Sequence, residues 1–299
     1  MSGEFCESGR AINIRDENVS EASRSDIRIS VITVVRNGVE FIEQTICSVL
    51  EQTYSNLEYI VIDGFSSDGT VDVIKSHESR IAHWVSEKDN GIADAFNKGL
   101  ALATGDYILF LNADDALATP HVLEKIATEI AGQNYPVLLY GDYDIIERDS
   151  GDLICHGRVV FSPKRLTHGQ VLPHPCLFTG RSYFEKYGKF DTSFRIAMDY
   201  EWLLRGILKE RVAHVPILTT NIRNGGVSTL DQSRTVEEII LALKKNGYFS
   251  RGFSEYKTRG YFFARMLSRK MLDKTGLYDA FWSARNKLGS FLNKRHRHG

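Results

Sequence analysis

The sequence predicts an α/β fold: a mostly parallel, Rossmann-like nucleotide-binding sheet, then a mixed second half and a C-terminal helical extension. Three observations predict it. Short β-branched runs alternate with amphipathic helical stretches from residue 29 to about 120, a rhythm that requires crossover connections and a sheet covered on both faces. Several of those runs end on acids or amides, and open α/β sheets bind ligands at the carboxyl ends of their strands. Beyond residue 137 the pattern changes to strand, turn, strand and short helices.

The elements follow in order. Ile29 to Val35 is β-branched enough for a first strand, and Phe41, Ile42, Ile46, Val49 and Leu50 recur at helical spacing. Leu57 to Ile62 returns as a strand ending at Asp63-Gly64, and Ser66 to Thr70 caps a helix running to about Ser76. Ile81 to Val85 is a short strand, Ile92 to Leu102 a helix, and Tyr107 to Leu111 an apolar strand that stops on Asn112-Ala113-Asp114-Asp115. A helix over roughly 120 to 131 follows Pro120. Val137 to Ile146 and Leu153 to Phe161 predict two strands joined by the turn Asp149-Ser150-Gly151-Asp152, with short helices at about 181 to 187 and 199 to 209.

Composition narrows the class. At 299 residues and 42% hydrophobic content the chain can bury one large core. Its four cysteines lie far apart with no Cys-x-x-Cys pair, which argues against zinc and a disulfide framework and suits a reducing compartment. Residues 1–27 are polar and mixed in charge, so a loose tail is expected there, neither a signal peptide nor a membrane span. From Lys244 to Gly299 there are 14 Lys and Arg against 3 acids, a balance of +11; with −1 overall, the rest carries −12. An acidic body excludes nucleic acid as the natural partner, whereas a basic, aromatic tail suits an anionic membrane surface.

The strand ends carry the chemistry. If the first strands are neighbours, Arg36-Asn37, Asp63 and Asn112 to Asp115 open on one edge and line one pocket. Asp114 and Asp115 suit a hard divalent cation and the hydroxyls of a phosphorylated ligand, or else a turn that caps the following helix. Asp63 can accept from a pyrimidine ring N–H, or serve only the turn with Gly64. Asp94, Asn97 and Lys98 stand on the first turns of a helix whose amino end favours anions; Asp94 serves equally as a helix-dipole partner.

Four segments in series, Ile-Thr-Val-Val-Arg-Asn (32–37), Ile-Val-Ile-Asp-Gly-Phe-Ser-Ser-Asp-Gly-Thr (60–70), Asp-Asn-Gly-Ile-Ala-Asp-Ala-Phe-Asn-Lys-Gly (89–99) and Gly-Asp-Tyr-Ile-Leu-Phe-Leu-Asn-Ala-Asp-Asp (105–115), resemble the family 2 glycosyltransferases of the GT-A fold. The resemblance implies an inverting transfer from a nucleotide-diphosphate sugar, UDP first among the carriers, to a saccharide or polyprenyl-linked hydroxyl in cell-surface polysaccharide synthesis. It implies Thr33, Val35, Asn37, Asp63 and Asp94 on the nucleotide, Asp114 near the ribose or donor phosphate, and Asp115 on Mn²⁺ or Mg²⁺. Arg36 departs from the tyrosine that many members carry, which leaves the stacking partner of the base open.

On the acceptor side, Met198-Asp199-Tyr200-Glu201 resembles the family's acidic pair, with Met198 in place of the first acid. Asp199 is the expected base, and Glu201, about 200° further round a helix, is assigned to the acceptor or phosphate side rather than to the reaction centre. Arg205 is expected to reach a phosphate, and His174, between two prolines, is assigned to the acceptor side or to turn geometry. The expected division is a tail (1–27), a GT-A domain (28–235, with a donor half to 120 and an acceptor half from 121) and a basic aromatic extension (236–299). Location at the cytoplasmic face of a membrane follows from that extension, although helical packing on the domain explains it equally well. A non-catalytic nucleotide-sugar-binding protein on the same fold is the alternative.

Overall fold

The structure is a computed structural model that describes residues 26–169, 172–225, 231–249 and 255–274, the side chains at 265, 266 and 269–274 apart. Nine strands form one sheet: β1 (Ile29–Val35), β2 (Leu57–Asp63), β3 (His83–Ser86), β4 (Tyr107–Asn112), β5 (Ala116–Leu117), β6 (Leu138–Ile146), β7 (Leu153–Gly157), β8 (Leu177–Gly180) and β9 (Val212–Arg223). Their order is β3-β2-β1-β4-β8-β6-β9-β5, with β7 pairing β6. β3, β2, β1 and β4 run parallel, and β8 begins the mixed half by pairing β4 antiparallel. Chain order reverses at β1, which has β2 on one side and β4 on the other. That switch point opens a crevice at the carboxyl ends of both.

Each of these strands feeds two cores. Ile32, Val34, Ile60, Ile62, Ile108 and Phe110 face a cluster shared with helices α3 (Ile92–Leu102), α5 (Arg181–Tyr187), α6 (Met198–Leu204) and α7 (Gln232–Lys245). Val31, Val35, Val61, Leu109 and Leu111 face the opposite cluster, with α1 (Ile42–Leu50), α2 (Thr70–Ser76) and α4 (Val122–Gly132). All seven β1 residues are buried, as a central parallel strand covered on both faces must be. Helix α3 approaches very closely at Gly99, where an added Cβ would stand 2.4 Å from Ile32 Cγ2.

The sequence pattern misses β9. Its Pro216 cannot donate to a ladder, and residues 215–217 of β9 stand against the single Gly141 of β6, between the pairs Tyr140↔His214 and Asp142↔Leu218. Gly141 is required there, because a Cβ would meet the Ile217 carbonyl oxygen at 2.7 Å. β7 also stops at Gly157, four residues short of the expected Phe161.

The expected boundary at 235/236 falls inside α7, whose Ile239, Ile240, Ala242 and Leu243 are buried in the first cluster's neighbourhood, so this helix is part of the domain. The last helix, α8 (Glu255–Lys274), is attached through buried Thr258 and Phe262. Among the described residues no helix is long and apolar enough to cross a membrane, and Cys47, Cys155 and Cys176 form no disulfide. Most of the expected tail, and the basic segment beyond Lys274, lie outside the described residues.

Candidate active site

A cavity of about 850 Å³ opens at the switch point. Its wall includes Val35, Arg36 and Asn37 from the end of β1, Asn112, Asp114 and Asp115 from the end of β4, and His174 and Asp199 from the second half. The register puts these ends level, with Val35 beside Asp63 and Val34 beside Asn112. Its volume suits a ligand of nucleotide size.

The acid loop is held from below by α1. Thr45 Oγ1 donates to the carbonyl oxygens of Ala113 (2.8 Å) and Asp115 (2.6 Å), and Leu117 N donates to Ser48 Oγ at 3.1 Å. These bonds fix the turn. Asp115 itself is 2% exposed; its carboxylate accepts from Asn112 Nδ2 at 2.9 Å and from the Arg223 N–H at 3.2 Å. Burial, reinforced by the neighbouring Asp114 charge, pushes its pKa up to about 7.

Other buried acids behave differently. Glu58 accepts from Ser30, from Thr104 twice and from Arg28, and these donors outweigh burial to hold its pKa below the usual value. Glu58 is therefore a satisfied structural acid, whereas Asp115 is short of positive partners. That shortage, in an all-oxygen setting, fits a hard divalent cation. Among the described residues no three His, Cys, Asp or Glu side chains are placed to hold a metal by themselves. A Mg²⁺-like ion that keeps waters and takes its remaining ligands from substrate phosphates needs only one or two carboxylates, so the residues present fit.

His174 joins the two sides. It lies in a short 3₁₀ turn (His174–Cys176) with Pro173 before it and Pro175 after it, and its ring meets Phe96 edge-on at 5.6 Å. Nε2 is 3.0 Å from Asn112 Oδ1 and Nδ1 is 3.3 Å from Asp199 Oδ2. Because Asn112 gives its amide N–H to Asp115, its oxygen is the end that faces the imidazole. A continuous polar chain thus runs Asp115, Asn112, His174, Asp199.

Asp199 stands at the start of α6, and the loop before it is gripped by Glu238 of α7. That carboxylate accepts from the N–H groups of Arg195 (3.1 Å), Ile196 (2.8 Å) and Ala197 (2.9 Å) and from Arg234 Nε (3.0 Å). Burial alone would raise the Glu238 pKa, and these donors hold it below the usual carboxylate value.

Five expected site residues do not reach the wall. Thr33 is fully buried on the opposite face, where it accepts from the Tyr59 hydroxyl at 3.2 Å. Asp63 is also fully buried: it accepts from Ser66 N at 3.0 Å, from the Ser66 hydroxyl and from Ser86 Oγ at 2.6 Å, which ties β2 to β3. Asp94 receives the Asn90 N–H at 3.0 Å and lies 3.7 Å from Lys98, so it organises the helix start. Glu201 is fully buried and paired with Arg205 and, at 3.0 Å, with Lys245, and Arg205 also donates to the carbonyls of Tyr187 and Lys189. These last two clamp α6 to α7. The expectation that only one acid of the 199/201 pair faces the cavity matches this placement.

Sequence reasoning gave no site role to Phe41, Arg148, Arg195, Arg223 or Glu238, and placed Asn112 on the pocket edge without a specific task. Asn112 alone had a local signal, its place at a strand end. The arginines reach the cavity from the turn after β6, from the loop before α6 and from the end of β9, and no short spacing announces that.

A model of the glycosyl transferase family 2 matches residues 30–192, more than half of the chain. The chain belongs to glycosyltransferase family 2. Over 182 residues this family 2 chain is 36% identical to an uncharacterised glycosyltransferase of Mycobacterium tuberculosis, covering 60% of the chain and 69% of the relative. It is 29% identical over 208 residues to a PGL/p-HBAD biosynthesis glycosyltransferase of Mycobacterium bovis, covering 67% and 78%. Its fold is shared with Staphylococcus aureus TarS 1–349 in complex with UDP-GlcNAc (TM-score 0.58, 14% identity, 79% of this chain and 70% of that one). It is shared also with the mannosyltransferase PcManGT of Pyrobaculum calidifontis in complex with GDP-Man and Mn²⁺ (0.52, 20%, 73% and 64%). The chain spans 43% of the longer TarS chain. The GT-A fold class is therefore the one observed.

Proposed function

We propose that this family 2 glycosyltransferase moves a hexosyl or N-acetylhexosaminyl group, with inversion, from a nucleotide-diphosphate sugar to a saccharide or polyprenyl-linked hydroxyl in cell-surface glycan synthesis. The observation that carries the reading is the placement of Asp114-Asp115 and Asp199 on one cavity wall, linked through Asn112 and His174. A leaving diphosphate needs positive charge beside the acid loop, and an attacking hydroxyl needs a proton acceptor across from it. A divalent cation, Mn²⁺ or Mg²⁺, held by Asp115 with Asp114 as a second carboxylate ligand, would supply the charge.

This chain's residues do the rest. Asp199 takes the acceptor proton, with His174 orienting its carboxylate. Val35, Arg36 and Asn37 bound the nucleotide side, where the exposed Arg36 guanidinium offers a flat stacking surface for a base. UDP is the favoured carrier because TarS is known with UDP and UDP-GlcNAc, and PcManGT makes GDP the second choice. Asp63, enclosed by Ser66 and Ser86, reads the base only if that loop opens.

Work at the cytoplasmic face of a membrane is part of the reading. On α8, Tyr256, Phe263 and Leu267 are 86%, 68% and 51% exposed and fall within about 40° of one another on the helix. An apolar stripe beside Lys257 and Arg259, in a region of net charge +11, suits an anionic lipid surface.

The test is a screen of uridine, thymidine and guanosine diphosphate sugars for metal-dependent donor hydrolysis and thermal stabilisation. A flat response to every donor, with and without Mn²⁺, would sink the proposal. Donor binding without transfer to any acceptor would favour the non-catalytic alternative.

A further inference from the structure

The described part of the cavity wall carries four acids (Asp89, Asp114, Asp115, Asp199) and four arginines (Arg36, Arg148, Arg195, Arg223). Two of the arginines share one aromatic ring. The Cζ atoms of Arg148 and Arg223 lie 4.6 Å and 4.3 Å from the centre of the Phe41 ring, which is 8% exposed just ahead of α1. Two guanidinium groups on one ring repel each other, so an arrangement of this kind persists only when anions stand close by.

The anions in the structure are the acids of the loop after β4. Arg148 Nη1 is 3.2 Å from Asp114 Oδ2, while the Arg223 N–H donates to Asp115 Oδ1 at 3.2 Å. The two arginines differ in how firmly they are held. The Arg223 guanidinium donates to Gln44 Oε1, to the Arg148 carbonyl and, at 3.5 Å, to the Glu147 carbonyl. Arg148 forms its ion pair with Asp114, and both side chains remain substantially exposed, 40% and 30%. A pair of that exposure is weak and exchangeable.

The backbone beneath Arg148 is nonetheless rigid. Glu147 accepts the N–H groups of Asp149 (2.8 Å) and Ser150 (2.7 Å), Glu147 N donates to Asp152 O at 2.8 Å, and Gly151 takes the left-handed conformation that closes the turn. A well-bonded turn thus presents one weakly paired guanidinium at the acid loop, beside a second guanidinium that is held by three acceptors.

We propose that Arg148 is an exchanging diphosphate clamp: it neutralises Asp114 in the empty site and, when a divalent cation claims that carboxylate, turns to join Arg223 on the diphosphate of the donor. The inference rests on the proposed function, since it takes the cavity to hold a cation and a nucleoside diphosphate. Charge balance supports it. The four acids and four arginines cancel formally, and a cation added at Asp114-Asp115 leaves an excess of positive charge that a diphosphate matches. Arg148 therefore makes cation and donor binding mutually dependent: alone, the cation must displace the guanidinium; together with a diphosphate, the displaced guanidinium gains a better partner. A planar fork that grips two phosphate oxygens is suited to this exchange, and a lysine is less so.

Calorimetric titration of the whole protein tests it, with Mn²⁺ alone, UDP or GDP alone, and the nucleotide at saturating Mn²⁺. In Arg148→Gln, Mn²⁺ alone should bind several-fold tighter than in the parent, because Asp114 is freed, while the nucleotide at saturating Mn²⁺ should bind about tenfold weaker. Arg148→Lys should fall between the two. Tighter Mn²⁺ binding alone would follow from removing any nearby positive charge, so the clamp is marked by that gain together with the loss of nucleotide affinity at saturating Mn²⁺. Unchanged or weaker Mn²⁺ binding in Arg148→Gln, with its unfolding midpoint preserved, overturns the clamp while leaving the site reading intact. If the parent protein binds neither Mn²⁺ nor either nucleotide, the site reading fails and takes the clamp with it.

Discussion

The imidazole Nδ1 of His174 stands 3.3 Å from Oδ2 of Asp199, and through its other nitrogen and Asn112 the same ring is connected to Asp115. A group in that position sets the direction of the proton acceptor relative to the leaving-group side. Asp199→Asn should lower turnover by about 10²–10⁴-fold while donor KM and the unfolding midpoint stay near the parent values. Transfer at an unchanged rate would remove Asp199 from the mechanism. His174→Ala should lower kcat by about 10–100-fold, with His174→Gln recovering part of the loss, because Gln can bridge the same two neighbours. A change confined to KM would instead place His174 on substrate binding.

Chelation should abolish donor hydrolysis and transfer, and Mn²⁺ or Mg²⁺ should restore both. Asp115→Asn should cost about a hundredfold or more in turnover even at saturating metal. Without metal, the same variant should unfold at a higher temperature than the parent, because it removes a charge that burial and Asp114 both disfavour. Full activity in a chelator is the result that excludes metal dependence.

Stability should fall in acid through identifiable carboxylates. Asp191 is drawn below its ordinary 3.8 to about 2: partial burial would raise it, but Lys245 and Ser193 outweigh burial. Glu238 is likewise lowered from 4.5. Depressed carboxyl pKa values contribute stability that is complete above the unfolded values and lost as pH falls through the folded ones. Urea unfolding from pH 6 to pH 2 should therefore show a decline concentrated below about pH 4.5, with the Asp191 share persisting furthest into acid. Asp191→Asn should flatten the lower part of that curve; an unaltered curve would remove the Lys245 pair as its cause. Glu238→Ala should cost about 1–3 kcal/mol at neutral pH, because it strips the acceptor from three consecutive N–H groups.

Gly99→Ala sets two effects against each other. Helix propensity favours alanine by about 1 kcal/mol. A Cβ at this point would stand 2.4 Å from Ile32 Cγ2 and 3.4 Å from Ile62 Cγ1, in a core that has no room to yield, and overpacking costs about 1–3 kcal/mol. A net loss in thermal unfolding is expected. A gain would mean that α3 can move off the sheet without penalty.

Replacing Tyr256 and Phe263 together by Ser should reduce sedimentation with anionic phospholipid vesicles while sparing donor hydrolysis, because both side chains point into solvent from α8. Equal sedimentation of the double variant and the parent would rule out this face as the lipid contact.

The donor half was legible because its signals are local. β1, β2 and β4 are mostly apolar, β-branched or aromatic runs, each followed or ended by polar residues, and a run of that kind reads as a buried parallel strand. The acceptor half was harder to read, because its central strand carries Pro216 and a bulge that only the partner Gly141 accommodates. Misplaced site residues have two causes. Thr33, Asp94 and Glu201 stand next in sequence to Val34, Ala95 and Tyr200, which do line the cavity, and neighbours on a strand or helix point in different directions; Asp63 and Arg205 are instead taken up by partners from elsewhere in the chain. Asp199 and Glu201 show the first plainly: two positions apart, one lines the cavity and the other is sealed under Lys245.

By itself the sequence determined the α/β layering, the family motifs, the acid pair at Asp114-Asp115 and the candidate base, since each is written in the order and spacing of nearby residues. Tertiary structure alone decided which of those acids are satisfied and which are left short of partners. Asp63 and Asp115 both end apolar runs, yet one is enclosed by serine donors and the other lies beside a second carboxylate with only the Asn112 amide and the Arg223 backbone N–H as donors. The free energy of a buried charge depends on everything within a few ångströms of it, and most of that arrives from elsewhere in the chain.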